Sequence, residues 1–121
     1  MFDFEKLDLY QKSLEMIKMV YNQTKHFPND ERFGLTNQYR RAANSVALNI
    51  GEGYGETIPL SLKYLKTSKG SIRECLVCSE IALQQKYIDQ NQYDEIRKIL
   101  TDLSKMASGY KKYLEKKLES K

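Results

Sequence analysis

The chain has no tryptophan, one histidine, two cysteines and two prolines among its 121 residues. Each shortage closes an option. A structural zinc needs four ligands, and His26 with Cys75 and Cys78 supplies three at most. Two prolines leave few points at which a helix must break. The longest uncharged run, residues 42–51, is far short of the roughly 20 apolar residues that cross a bilayer, so no membrane partner is expected. The N-terminal MFDFEKLDLY lacks the basic start and apolar core of a signal peptide, and a cytoplasmic location is expected. No segment alternates apolar and polar residues with β-branched enrichment, which argues against a sheet.

What is present is a chain that is 40% hydrophobic and 30% charged, enough for one core. Its periodicity predicts a single all-α domain over residues 1–121, an antiparallel up-down four-helix bundle with helices at about 6–27, 35–53, 59–87 and 90–118. The first helix shows Leu7, Tyr10, Leu14, Ile17 and Tyr21 on one face, widened by Met16 and Val20, and stops at Pro28. The second is predicted to start at a Thr36 cap. Its stripe is Leu35, Tyr39, Ala42, Ala43, Val46 and Ile50, and the small residues around it imply a close neighbour. Pro59 opens the third. Gly70 lies inside that helix, where glycine costs about 1 kcal/mol relative to alanine, so a packing contact is expected there. Asp89 and Gln92 have the spacing of a capping box ahead of the fourth helix, whose seam is Tyr93, Ile96, Leu100, Leu103, Ala107, Tyr110 and Leu114. Ile99, Met106 and Tyr113 lie beside that seam, as Met16, Met19 and Val20 do on the first helix. A single bundle core uses about three positions in seven, so the surplus predicts self-association.

Charge is unevenly placed. Residues 105–121 hold six lysines (Lys105, Lys111, Lys112, Lys116, Lys117, Lys121) against Glu115 and Glu119, a surplus of four that equals the net charge of the whole chain. Such a helix attracts nucleic acid or an acidic partner; a solvated helix end, favoured by the helix dipole, is the plainer account. Arg40 and Arg41 on the second helix and Arg73 on the third, with Lys111, Lys112, Lys116 and Lys117, are the candidate phosphate contacts. The alternative for Arg73 is an ion pair with Glu74 or Glu80.

No catalytic, cofactor or metal site is expected. Cys75 and Cys78 lie mid-helix instead of at a helix start after a strand, so they read as buried small hydrophobes. Ser45, Ser61, Ser68 and Ser71 lack a nucleophile elbow. The run Gly51-Glu52-Gly53-Tyr54-Gly55 follows a helix and lacks the lysine of a phosphate loop, so helix termination explains it. Asn49 falls near the apolar stripe with Glu52 beyond it, and a hydrogen-bonded structural role is expected for both, with a binding cleft as the alternative.

Two stretches carry a resemblance. The first runs from Phe27-Pro28 through Glu31, Phe33-Gly34-Leu35-Thr36, Gln38, Arg40-Arg41-Ala42-Ala43, Ser45-Val46 and Asn49-Ile50-Gly51-Glu52-Gly53; the second is Lys69-Gly70-Ser71 with Glu74. Together they resemble the bacterial four-helix bundle proteins encoded in intervening sequences of large-subunit rRNA genes, labelled ribosomal-protein-like. The accessory variability protein of diversity-generating retroelements is similar to these. The likeness spans nearly the whole chain. It departs at Gly51, where the family commonly has alanine, and in Leu9-Tyr10-Gln11-Lys12, which matches an aromatic-basic pattern only in part. The resemblance implies a homopentameric barrel, and for the retroelement branch a basic nucleic-acid-binding partner of a reverse transcriptase. It also marks Asn49, Gly51, Glu52, Gly53, Gly70 and Ser71 as structural motif positions. The function these readings support is a non-catalytic oligomer that binds RNA or DNA through a basic surface; the alternative is a protein–protein adaptor with no nucleic-acid role.

Overall fold

The computed structural model of the chain describes residues 2–120; Met1 and Lys121, the last of the clustered lysines, lie outside the described residues. Four helices follow one another, α1 (Asp8–Thr24), α2 (Leu35–Gly53), α3 (Ile58–Gln84) and α4 (Gln90–Glu119), and the described residues contain no strand. Short connectors turn each helix back on the last, and packing runs α1–α2, α2–α3, α3–α4 and α4–α1, which closes an up-down bundle. None of these helices is long and apolar enough to cross a membrane.

The termini show which local chemistry sets each element. Residues Asp3–Lys6 form a 3-10 turn before α1, so the first helix is shorter than its periodicity suggested at both ends. Leu35 already belongs to α2, ahead of the expected Thr36 cap. Its amide donates to Glu31 Oε1, so a carboxylate from the connector caps this helix. Thr57 caps α3 by accepting from the Leu60 amide, and Pro59 sits one residue inside the first turn. That helix ends at Gln84, short of Tyr87, because Lys86 turns left-handed at φ 64° and the Tyr87 amide reaches back to the Ala82 carbonyl at 2.8 Å. The capping box forms as read: the Gln92 amide donates to Asp89 Oδ1 at 2.8 Å, and the Asp89 amide to Gln92 Oε1 at 2.9 Å.

The core corrects the seam of α1. Leu9, Ser13, Met16, Val20 and Gln23 are buried, whereas Leu14 and Tyr21 are 40% and 37% exposed. Polar side chains enter the core because backbone carbonyls receive them. Ser13 Oγ donates to the Tyr10 carbonyl at 2.6 Å, and Gln23 Nε2 to the Gln92 carbonyl of α4 at 3.0 Å. The α4 seam holds from Tyr93 to Leu114, with Tyr110 only half-buried.

Close approach is concentrated between α2 and α3. Small residues recur every seven positions along α3, at Ser61, Ser68, Cys75 and Ala82, and all four are buried. Ser61 Oγ donates to the Gly53 carbonyl at 2.5 Å and Ser68 Oγ to the Val46 carbonyl at 2.9 Å, tying the two backbones together. A Cβ on Gly53 would lie 2.9 Å from that of Tyr64, so this glycine is required by the approach. Gly70 differs. A Cβ there would meet only Arg73 Nη2, at an ordinary 3.7 Å, so the packing contact expected for Gly70 is absent. A Cβ on Gly51 would meet the Phe4 ring at an ordinary 3.8 Å, so an alanine would fit there.

Candidate nucleic-acid interface

The capped first turns of α3 launch Lys63, Lys66, Lys69 and Arg73 along one flank at steps of three and four residues, a spacing that keeps them on the side facing α4. On the opposite wall α4 contributes Lys111 and Glu115. Together with Pro59, Leu62 and Leu65 they line a groove of about 540 Å³. Lys111 Nζ stands 3.9 Å from Glu115 Oε2, so the one carboxylate of the groove is partnered. The four cations of α3 make no ion pair among the described residues; neither Glu74 nor Glu80 reaches Arg73.

The seven cations expected to form one surface separate into several. Arg73 and Lys111 enter the groove. Lys112 and Lys116 are exposed and, at 100° per residue, point away from buried Leu114, extending the positive charge over the outer face of α4. Lys117 stands 5.9 Å over the Tyr113 ring on the other flank. Arg40 is committed elsewhere: its Nε donates to Thr24 Oγ1 at 2.8 Å and its guanidinium covers the Tyr21 ring at 4.5 Å, bracing α2 against α1. Arg41 opens into a different cleft, between α2 and α3. Lys63, Lys66 and Lys69 are not among the seven candidate phosphate contacts, although their spacing without an intervening acid is visible in the sequence.

The α2–α3 cleft, about 530 Å³, is polar. Arg41, Gln38, Asn37 and Ser45 come from α2, Ser71 and Glu74 from α3, and Phe33 stands at the margin. Its floor is fixed by hydrogen bonds: Ser71 Oγ donates to Ser45 Oγ at 2.8 Å, and Asn49 Nδ2 to the Ser45 carbonyl at 2.8 Å. Asn49 bonds only within α2, to Ser45, and it is Ser45 that accepts from Ser71 of α3. Glu52 is exposed and faces a third groove, between α1 and α2, so the structural role expected for it is corrected. That third groove, about 680 Å³, is apolar, lined by Phe4, Tyr10, Leu14, Ile17 and Leu48. Glu52 lines this groove, whereas Asn49 borders a separate small cavity with Gly53, Ser61 and Tyr110.

The thiols are core atoms. Cys75 and Cys78 are buried and unbonded to each other. Burial, reinforced by Glu74, pushes the Cys78 thiol up to about 11, and burial raises that of Cys75 further. Tyr39 lies beside them with its hydroxyl buried and without a hydrogen-bond partner, and burial raises its pKa above the usual range. No group of three or more metal-binding side chains forms among the described residues. His26 is exposed and borders a shallow cleft along the α1–α4 edge that Glu15 and Glu95 also line.

The family model described as 23S rRNA-intervening sequence protein matches residues 5–109. The chain belongs to that family. A solved structure shares the fold: a protein of unknown function from the S23 ribosomal protein family of Bacteroides thetaiotaomicron VPI-5482, with a TM-score of 0.79 and 24% identity over 86% of this chain and 98% of that one. No curated protein gives a significant match. The two stretches that carry the resemblance contribute Phe33, Gln38, Arg41 and Ser45 on one side and Ser71 and Glu74 on the other to the α2–α3 cleft.

Proposed function

We propose that this intervening-sequence family protein is a non-catalytic, oligomeric bundle that binds the phosphate backbone of RNA or DNA along the α3–α4 groove. The observation that carries the reading is the row Lys63, Lys66, Lys69 and Arg73, four cations on one wall with no carboxylate paired to them. Phosphate contacts by such a row release condensed counterions, so affinity follows charge and falls with salt. Titration of labelled structured RNA at two salt concentrations tests it: tight binding at low salt that weakens steeply at high salt supports the reading, and no binding at low salt defeats it.

Oligomerisation is the second part of the proposal. The bundle presents two unlike apolar surfaces. One is the α1–α2 groove with Leu48, 70% exposed; the other is Val77 and Ile81 on the outer face of α3. A head-to-tail contact needs two different patches and closes into a ring when the rotation allows, which suits a homopentamer. Light scattering that returns a monomer at micromolar concentration would contradict it. The same groove is also the feature that favours an adaptor role, with a reverse transcriptase or another protein as partner. Recovery of a protein partner by a form that binds no nucleic acid would support that alternative.

A further inference from the structure

The α2–α3 cleft carries charge of both signs on opposite walls. Arg41 on α2 and Glu74 on α3 are exposed, share the cleft and form no ion pair with each other among the described residues. The amides of Asn37 and Gln38 line the α2 wall beside Arg41, and the Ser45–Ser71 hydrogen bond ties the two walls together. At the margin the Phe33 ring is 86% exposed, with the Arg32 guanidinium 5.4 Å from its centroid. An exposed aromatic ring beside convergent donors and acceptors suits a flat ligand with hydrogen-bonding edges, and the cleft volume lies within the range of small-ligand pockets.

Gly70 connects this cleft to the cationic groove. Ser71 and Glu74 face α2, Lys69 and Arg73 face α4, and Gly70 lies between the two flanks. Nothing inside the chain requires a glycine there. Its missing side chain lowers the helix surface where a strand would pass from one flank to the other, a place where close backbone approach gives glycine a use.

We infer that the α2–α3 cleft is a nucleobase site selective for guanine on a single strand whose phosphates lie along the α3–α4 groove; this rests on the backbone-binding reading above. Guanine presents O6 and N7 as acceptors to an arginine and N1–H with the N2 amino group as donors to a carboxylate. Adenine keeps N7 but carries an amino donor in place of O6, an acceptor in place of N1–H and no N2 amino group, and uracil lacks the second acceptor beside its O4. Phe33 supplies the stacking face.

The test uses the full chain and short labelled oligouridines carrying guanosine, inosine, adenosine or uridine at the centre. Guanosine is expected to bind about tenfold more tightly than uridine or adenosine, with inosine, which lacks the N2 donor, in between. Glu74→Gln should collapse the guanosine-to-uridine ratio to about one, whereas Arg73→Glu should weaken every oligomer and keep the ratio; circular dichroism checks that both variants are folded. Oligouridine binding without a guanine preference, or a preference that survives Glu74→Gln, overturns the base site and leaves backbone binding intact. Failure of every oligomer to bind at low salt overturns the backbone reading and the base site with it.

Discussion

Two grooves run along opposite sides of this bundle, and they differ in almost everything but size. The α1–α2 groove is walled by Phe4, Tyr10, Leu14, Ile17 and Leu48, with Glu52 at its edge; the α3–α4 groove is walled by Lys63, Lys66, Lys69, Arg73 and Lys111. An apolar groove gains from losing water to another surface, and a cationic one gains from phosphates that displace counterions. The proposal gives the two grooves different partners: a second copy, through Val77 and Ile81 of its α3, for the apolar one and a polyanion for the cationic one. The net charge of +4 conceals this division, because it sums both sides.

The contrast is broken most severely by reversing charge on one side alone. Lys66→Glu with Arg73→Glu should cost about a hundredfold or more in RNA affinity at low salt, without changing oligomer size. Electrophoretic mobility shift beside light scattering reads both. The converse change is Leu48→Lys with Leu14→Lys. It should convert the oligomer to a folded monomer and leave the intrinsic RNA affinity of each subunit in place. Because Leu48 is so exposed, its substitution should alter subunit stability by less than about 0.5 kcal/mol in urea unfolding of the monomeric form.

Two glycines, Gly53 at the end of α2 and Gly70 within α3, supply a third test. Gly53→Ala forces a Cβ against Tyr64 and should destabilise by about 1–3 kcal/mol, whereas Gly70→Ala meets only an ordinary contact with Arg73 and should stabilise by about 1 kcal/mol. Opposite shifts of the urea midpoint would separate a glycine kept for packing from one kept for the surface.

The smallest effect lies in the core that both grooves share. The folded state holds the Cys78 thiol protonated up to about pH 11, above the ordinary value of 9.0. A raised pKa means the folded form prefers the proton. Its contribution to stability is therefore complete below about pH 9 and is lost as pH rises through about 11. Denaturant midpoints should fall over that window, and less so in Cys78→Ala.

The four helices were legible because apolar residues recur at helical spacing and because Asp89 with Gln92 and Pro59 mark two starts. The seam of α1 differs from its apolar stripe for a physical reason: Ser13 and Gln23 reach backbone carbonyls and enter the core, which leaves Leu14 in the groove and Tyr21 at the surface under Arg40. An apolar stripe locates the wet groove as readily as the core when the core admits hydrogen-bonded polar groups. In α3 the seven-residue recurrence of Ser61 and Ser68 with Cys75 and Ala82 is the sequence signal of close packing, and it does not depend on any nucleophile elbow. On the cationic side the lysines crowded at the C-terminus stand out, whereas Lys63, Lys66 and Lys69 are spaced along a helix. Their significance depends on the antiparallel return of α4, which places Lys111 opposite them, and no local pattern states that.

The account stands most directly on the salt dependence of RNA binding. With four phosphate contacts, the slope of log affinity against log salt should be about −3 for labelled RNA, falling toward about −1 to −2 in the Lys66→Glu, Arg73→Glu form. Affinity that is indifferent to salt, or no binding at low salt, would contradict it.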